Sequence, residues 1–157
     1  MAENAAKTAV LYNGEFTFGV ENRRVQVPSK WLPGDFDAKT NPVEFSVIIW
    51  PKSVHSTCLR VMTRDKMDEL VAQLNAMPGT DPRKGALKRM IGRNSTQVQV
   101  DKQGRILLPD SMAQAAGITD KAVFVGVLDR FEIWAPDRST AQRDIDAGAI
   151  DTLSVLE

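Results

Sequence analysis

Arg105 stands four residues after Asp101 in the run Asp101-Lys102-Gln103-Gly104-Arg105. That spacing lets a carboxylate accept a charge-assisted hydrogen bond from a guanidinium across a tight turn, and Gly104 supplies the backbone freedom to make the turn. Such a turn displays Lys102 and Arg105 at an exposed tip, where cations reach phosphate oxygens and a guanidinium can fork onto a guanine edge in the major groove. Spacing alone leaves two readings equally open: Asp101 and Arg105 simply hold the turn, or the pair aims the arginine at a ligand. A second run, Glu21-Asn22-Arg23-Arg24, keeps two cations but carries Glu in place of Asp, lacks the glycine and is one residue shorter.

Other chemistry-bearing residues offer less. Cys58 follows His55 by three positions, the arrangement of a nucleophile beside a base. With one cysteine and one histidine in the chain, neither an intramolecular disulfide nor a multi-histidine metal cluster can form. A small core residue beside a loop imidazole is the favoured reading, so no catalytic residue, metal or cofactor is expected.

The two charged runs occupy the same place in an internal repeat, the feature that organises the whole fold. Phe16 to Val20 and Val25 to Val27 flank the first run; Thr96 to Val100 and Ile106 to Leu108 flank the second. Alternation at Phe16, Phe18 and Val20, and again at Val98 and Val100, is the period of two of half-buried strands. Each pair of strands is expected to form a hairpin. Pro28 and Pro109 close the second strand of each copy and permit a short helix to begin. Asp110 to Ala116 suits one to two helical turns ended by Gly117 in a left-handed cap. A second apolar pair follows in both halves, Val43–Trp50 with Cys58–Met62, and Ala122–Leu128 with Phe131–Trp134.

Two helices are predicted between the copies. Thr63 caps the first, which places Met67, Leu70, Val71, Leu74 and Met77 at three- and four-residue steps before Pro78-Gly79 breaks it. Asp81-Pro82 opens the second, which carries Leu87, Met90 and Ile91 on one face and ends at Gly92. Core or subunit interface is the expected role of these stripes. Lys84, Lys88, Arg89 and Arg93 fit a solvated face better than an extension of a ligand footprint. Trp50 and Trp134 hold similar places in the two copies and fit core packing better than base stacking.

Twenty basic and twenty acidic residues cancel over the chain of 157, but the charge is segregated. Arg83 to Arg105 carries a net +6, whereas Asp129 to Glu157 carries a net −4. A local rather than global field follows. With 43 % hydrophobic residues the chain can bury a core, yet each copy alone is too small to do so. The copies must therefore pack together, and a pseudo-two-fold barrel with strands from both leaves few edges unpaired. No apolar stretch approaches the roughly 20 residues that span a bilayer, and the first ten residues carry no export signal, so no membrane association and a cytoplasmic location are expected.

Asp101-Lys-Gln-Gly-Arg105 followed by Ile-Leu-Leu-Pro109 resembles the D-x-x-x-R-hydrophobic-P signature of the MraZ family, within the SpoVT-AbrB superfamily. The similarity runs from Gly14-Glu-Phe to Gly126-Val-Leu-Asp-Arg-Phe-Glu-Ile-Trp134. It implies an α+β fold, mainly β with added helices: a swapped-hairpin, AbrB-like barrel built from two internal repeats. The expected organisation is a first SpoVT-AbrB unit at 12–63, linking helices at 64–94, a second unit at 95–138 and an acidic tail at 139–157. The resemblance also implies a DNA-binding transcription regulator, nucleoid-associated, that forms a ring-shaped homo-oligomer on short direct repeats upstream of a cell-division and cell-wall gene cluster, with no small-molecule substrate. Carried over residue by residue, it assigns DNA contact to Lys102 and Arg105 with Asp101 and Gly104 shaping their tip. Arg23 and Arg24 keep phosphate contact, with Glu21 shaping the altered first tip, which positions while the second reads. Two rivals have their own marks. An antitoxin-like relative would carry one unit per chain, and a ring-forming scaffold that has lost DNA binding would explain the altered tip and zero net charge.

Overall fold

The computed structural model describes residues 10–51 and 56–157; His55 lies outside the described residues. Among the described residues eight strands fall in chain order: β1 Glu15–Gly19, β2 Arg24–Gln26, β3 Glu44–Trp50, β4 Cys58–Met62, β5 Ser95–Gln99, β6 Arg105–Leu107, β7 Lys121–Gly126 and β8 Phe131–Trp134. Four α-helices accompany them: α1 Arg64–Ala76, α2 Pro82–Arg93, α3 Asp110–Ala116 and α4 Pro136–Ala147. Short 3₁₀ helices form at Ser29–Trp31 and Ile150–Leu156. The fold is α+β, and among the described residues no helix is long and apolar enough to cross a membrane.

Strand order shows how the repeats exchange. Six strands form one antiparallel sheet in the order β1-β7-β8-β4-β3-β5, and β2 pairs with β6 in a separate ribbon. Exchanging each strand with its counterpart in the other repeat reverses this order without changing it, so a pseudo-two-fold axis passes between β4 and β8. Each edge strand belongs to the other repeat's sheet: β1 pairs with β7, Phe18 opposite Ala122, and β5 pairs with β3, Val98 opposite Phe45. Neither repeat could satisfy its own strands alone.

Two expectations are corrected here. β1 with β2, and β5 with β6, do not continue as hairpins: beyond each turn the strands part, and β2 pairs with β6 across the axis. Nor does the sheet close into a barrel, because β1 and β5 remain its edges. Burial explains both departures. Val25, Val27, Ile106 and Leu108 are at most 1 % exposed and turn inward as a lid over the mouth between the two edges, which a continuous hairpin would hold away from the core.

The core beneath the lid is aromatic. Trp31, fully buried, packs against Phe131 at 4.9 Å and meets Tyr12 and Phe16 edge to face, geometries that add to area burial. Its indole N–H donates to the Asn13 carbonyl at 3.1 Å, so no polar atom is stranded. On the opposite face of the sheet Trp134 is buried and donates to Glu132 at 3.0 Å. Trp50 stays half-buried, with the Arg60 guanidinium 3.7 Å from its ring.

Local helix signals behave as their chemistry requires. The Thr63 hydroxyl accepts from the Lys66 N–H, Asp81 accepts from the Arg83 N–H with Pro82 as first helical residue, and Gly117 ends α3 at φ 71°. Helix α2 outruns Gly92 to Arg93, since Asn94 caps it and donates its amide to the Met90 carbonyl at 2.8 Å. Helix α4 crosses the boundary expected at residue 138, running from the second unit into the segment read as an acidic tail. It starts with Pro136, and Arg138 anchors it by donating to the carbonyls of Ala115 and Thr57.

Candidate nucleic-acid interface

The ribbon of β2 and β6 is three residues long on each strand, in the register Arg24 opposite Leu107, Val25 opposite Ile106 and Gln26 opposite Arg105. Because strand side chains alternate, burying Val25 and Ile106 forces Arg24, Gln26, Arg105 and Leu107 outward. Arg24 and Arg105 are thus displayed on one solvent face, related by the pseudo-two-fold axis. A two-stranded ribbon is of a size that the DNA major groove admits.

Each strand of the ribbon begins at a tip, and the two tips are built differently. At the second, the Asp101 carbonyl accepts from Gly104 N–H at 2.9 Å and the Arg105 carbonyl from Asp101 N–H at 2.8 Å, with Gly104 at φ 80°. This is the three-residue loop with a left-handed bulge position, which glycine fills without strain. The Asp101 carboxylate ties it together. One oxygen accepts from the backbone N–H groups of Gln103 (3.0 Å) and Arg105 (2.9 Å), the other from the Arg105 guanidinium at 3.2 Å. Partial desolvation pushes this carboxyl's pKa up, but those backbone bonds and the guanidinium outweigh it and hold Asp101 below the ordinary value of 3.8.

The first tip makes a two-residue turn. Glu21 and Arg24 exchange both backbone hydrogen bonds, at 3.0 and 2.8 Å, while Asn22 and Arg23 lie at φ 50° and 64°, as a type I′ turn demands. The missing glycine and the missing residue are one fact: the shorter loop needs two left-handed residues rather than one. Arg23 takes the place that Gly104 holds in the other repeat, since the Arg23 carbonyl accepts from Leu108 N–H and the Gly104 carbonyl from Val27 N–H. Its side chain leans 3.6 Å from the Asp110 carboxylate, and both remain largely exposed. Arg24 and Lys102 hold no ion pair among the described residues, and both are exposed.

Gln26 was not singled out by its sequence context, yet it joins the two halves. Its amide donates to the Gly104 carbonyl at 3.0 Å and to the Val27 carbonyl at 3.1 Å, so a residue of the first repeat braces the tip of the second. The counterpart of Gln26 is Leu107, an apolar side chain 39 % exposed beside Arg24, and the first tip has no matching brace. Alternation in Val25-Gln26-Val27 marks Gln26 as outward-facing, but the partner it meets comes from the cross-repeat pairing.

The basic residues of α2 stand apart from this face. Lys84 and Lys88 donate to the carbonyl and side chain of Asn75 near the end of α1, and Arg83 pairs with Asp81 at 2.7 Å. These three serve the helical pair, while Arg89 and Arg93 are exposed.

Fold and surface together define a class: a duplicated, strand-exchanged α+β protein that displays paired arginines on a two-fold β-ribbon. Residues 91–144, which contain the second tip, match the family described as "MraZ protein, putative antitoxin-like". Across most of its length the chain is similar to the transcriptional regulator MraZ of Herpetosiphon aurantiacus, 30 % identical over 131 residues that cover 82 % of this chain and 83 % of that one. The same-named regulator of Shewanella pealeana is 27 % identical over 145 residues, covering 92 % and 91 %. That of Desulfitobacterium hafniense is 38 % identical over 100 residues, covering 61 % and 70 %. The chain belongs to the MraZ family.

Proposed function

We propose that this protein is a sequence-specific DNA-binding transcription regulator that acts as a ring-shaped homo-oligomer on short direct repeats. The observation that carries this reading is the outward pair Arg24 and Arg105 on a ribbon made by both repeats. In this reading the units at 12–63 and 95–138 supply one tip each to a single head. Arg105 and Lys102 at the second tip read base edges, held by Asp101 and Gly104; Arg23 and Arg24 at the first, shaped by Glu21, hold phosphates. The expected targets lie upstream of a cell-division and cell-wall gene cluster, in keeping with the family, and nucleoid association follows from such binding.

Charge argues for repetition in the DNA. Around the tips Arg23, Arg24, Lys102 and Arg105 face Glu21, Asp101 and Asp110, so one head neutralises few phosphates and binds weakly. Tethering several heads makes the second contact intramolecular and can raise avidity by roughly 10² to 10⁴. The test compares duplexes with one repeat, with two about 10 bp apart, and with two offset by a further half turn. The in-phase pair is expected to bind far more tightly, with all three weakening as salt rises. Equal affinity for one repeat and two would remove avidity from the mechanism. Failure to retain any upstream fragment at low salt would remove DNA binding.

A further inference from the structure

Two surfaces of this chain combine exposed apolar side chains with charge of a single sign. One is α2: between Pro82 and Arg93 it carries five basic residues and no acid, buries no residue, and leaves Met90 41 % exposed beside half-exposed Leu87 and Ile91. The other is the C-terminal segment from Asp144, with four acids and no base. There the 3₁₀ helix Ile150–Leu156 repeats every three residues, so Ile150, Leu153 and Leu156 stack in one stripe. They are 66 %, 61 % and 80 % exposed, and Ile145 on α4 is 65 % exposed. A 3₁₀ run of seven residues exceeds the three or four that such helices usually sustain, and this one buries nothing. Its form calls for a partner.

The two surfaces attach to opposite edges of the six-stranded sheet. Helix α2 leads through Asn94 into β5, one edge strand. Helix α4 packs on β7, and its Arg143 pairs with Glu15 of β1, the other edge strand. Within one copy the C-terminal stripe stays uncovered, and α2 packs only partly against α1, leaving Met90, Arg89 and Arg93 exposed. Complementary patches at opposite ends of a subunit make a head-to-tail contact, the kind that closes into a ring when the rotation permits.

We propose that the C-terminal segment of one copy lies along α2 of the next, its Ile150–Leu153–Leu156 stripe on Leu87, Met90 and Ile91 and its acids among the basic residues of that helix. This rests on the reading of the protein as a homo-oligomer and adds which surfaces meet. It gives the cations of α2 a protein partner instead of DNA, and it explains why the basic and acidic segments of a neutral chain are kept apart.

Charge exchange tests it. One variant carries Lys88→Glu, Arg89→Glu and Arg93→Glu, which leaves α2 with a net −1; a second carries Asp144→Lys, Asp146→Lys and Asp151→Lys, which leaves the C-terminal segment with a net +2. By light scattering on a sizing column, each alone is expected to fall from the wild-type assembly to the 17.3 kDa chain at concentrations where wild type is assembled, a shift of tenfold or more in the assembly midpoint. An equimolar mixture restores opposite charge at every junction and is expected to regain wild-type mass. A chain truncated after Gly148 covers the case in which a charge variant misfolds, and it too is expected to be monomeric while keeping the circular dichroism spectrum of a folded chain and a cooperative melt. Wild type that is itself monomeric would overturn the oligomer reading and this contact together. Wild type that assembles, with variants or truncation assembling equally well, would overturn only the contact, as would folded variants whose mixture stays monomeric.

Discussion

Asp101–Arg105 and Glu21–Arg24 occupy equivalent places at the start of β6 and β2, yet they reach the same topology by different routes. The second tip uses three residues, a glycine among them, and it locks Arg105 with a carboxylate that accepts three hydrogen bonds. The first spends two residues, places a non-glycine arginine at φ 64°, and leaves Arg24 without an ion pair among the described residues. Fixed direction suits base recognition, which demands geometry; a loosely held cation suits phosphate, which demands charge. On the function proposed above, the difference would separate a reading half from a positioning half on one ribbon.

The largest effect that could break this comparison is on affinity. Arg105→Ala is expected to weaken operator binding by about 1–3 kcal/mol, the worth of a bidentate base contact. Arg24→Ala should weaken all sequences evenly and lower the salt slope by about 1, and Arg89→Ala on α2 should change little on a single-repeat duplex, where avidity between subunits plays no part. Gel-shift titration across salt, with melting temperatures as a check on folding, measures all three. Similar losses from Arg105 and Arg89 would dissolve the distinction between tip and helix; similar sequence-selective losses from Arg105 and Arg24 would dissolve that between the tips.

Next is stability, where the tips should respond with opposite sign. A Cβ on Gly104 would sit 2.7 Å from the Gln26 amide nitrogen at a φ of +80°, so Gly104→Ala is expected to destabilise by about 1–2 kcal/mol. Arg23→Gly relieves a left-handed non-glycine residue and, after the added unfolded-state entropy of glycine, should stabilise by about 0.5 kcal/mol. Denaturant titration of both variants gives the two signs directly.

A smaller effect isolates the brace between repeats. Gln26→Leu copies the residue found at Leu107 and removes the side-chain bonds to Gly104 and Val27. A net loss of about 0.5–1.5 kcal/mol per hydrogen bond sets its ceiling, and part of this should appear as weaker DNA binding through Arg105. The reciprocal Leu107→Gln should leave the second tip untouched. Loss of stability from Gln26→Leu with unchanged affinity would make Gln26 a fold residue only.

What the sequence made legible was local. Thr63, Asp81-Pro82 and Gly117 act within one helical turn of themselves, so their residue types suffice to place α1, α2 and α3. Period-two alternation marked Phe16, Phe18, Val20, Val98 and Val100 as half-buried strand positions, but it assigns a face and never a partner, and the all-apolar Ile106-Leu107-Leu108 assigns not even a face. The ribbon, the open sheet and the Gln26 brace all depend on cross-repeat pairing. Helix α4 escaped for another reason: its buried face rests on Ser139 and the anchored Arg138 rather than on an apolar stripe, which leaves little helical periodicity to detect. Asp101 and Arg105 were legible as a pair, whereas the two backbone N–H groups bound by the same carboxylate depend on how the loop folds.

The smallest expected effect follows from that last feature and concerns pH. Asp101 is held below 3.8 in the folded state, so its ionised form favours folding. For a carboxyl whose pKa is depressed by folding, the stabilisation is fully present above the unfolded value and fades as pH falls through the folded one. Between pH 7 and about 5 the second tip should therefore be insensitive to acid, and below about 4 it should begin to lose the bonds that aim Arg105. The Asp101 side chain is 31 % exposed, so solvent screens the ion pair and keeps the effect small. Asp101→Asn supplies the comparison, since it keeps an acceptor for the backbone N–H groups but removes the charge facing the guanidinium. Thermal melting of wild type and variant should differ by a constant amount from pH 7 to about 5, and the curves should converge below about 4. A difference that stays constant to pH 3 would mean that Asp101 titrates alike in the folded and unfolded chain, leaving its charge no part in holding the tip.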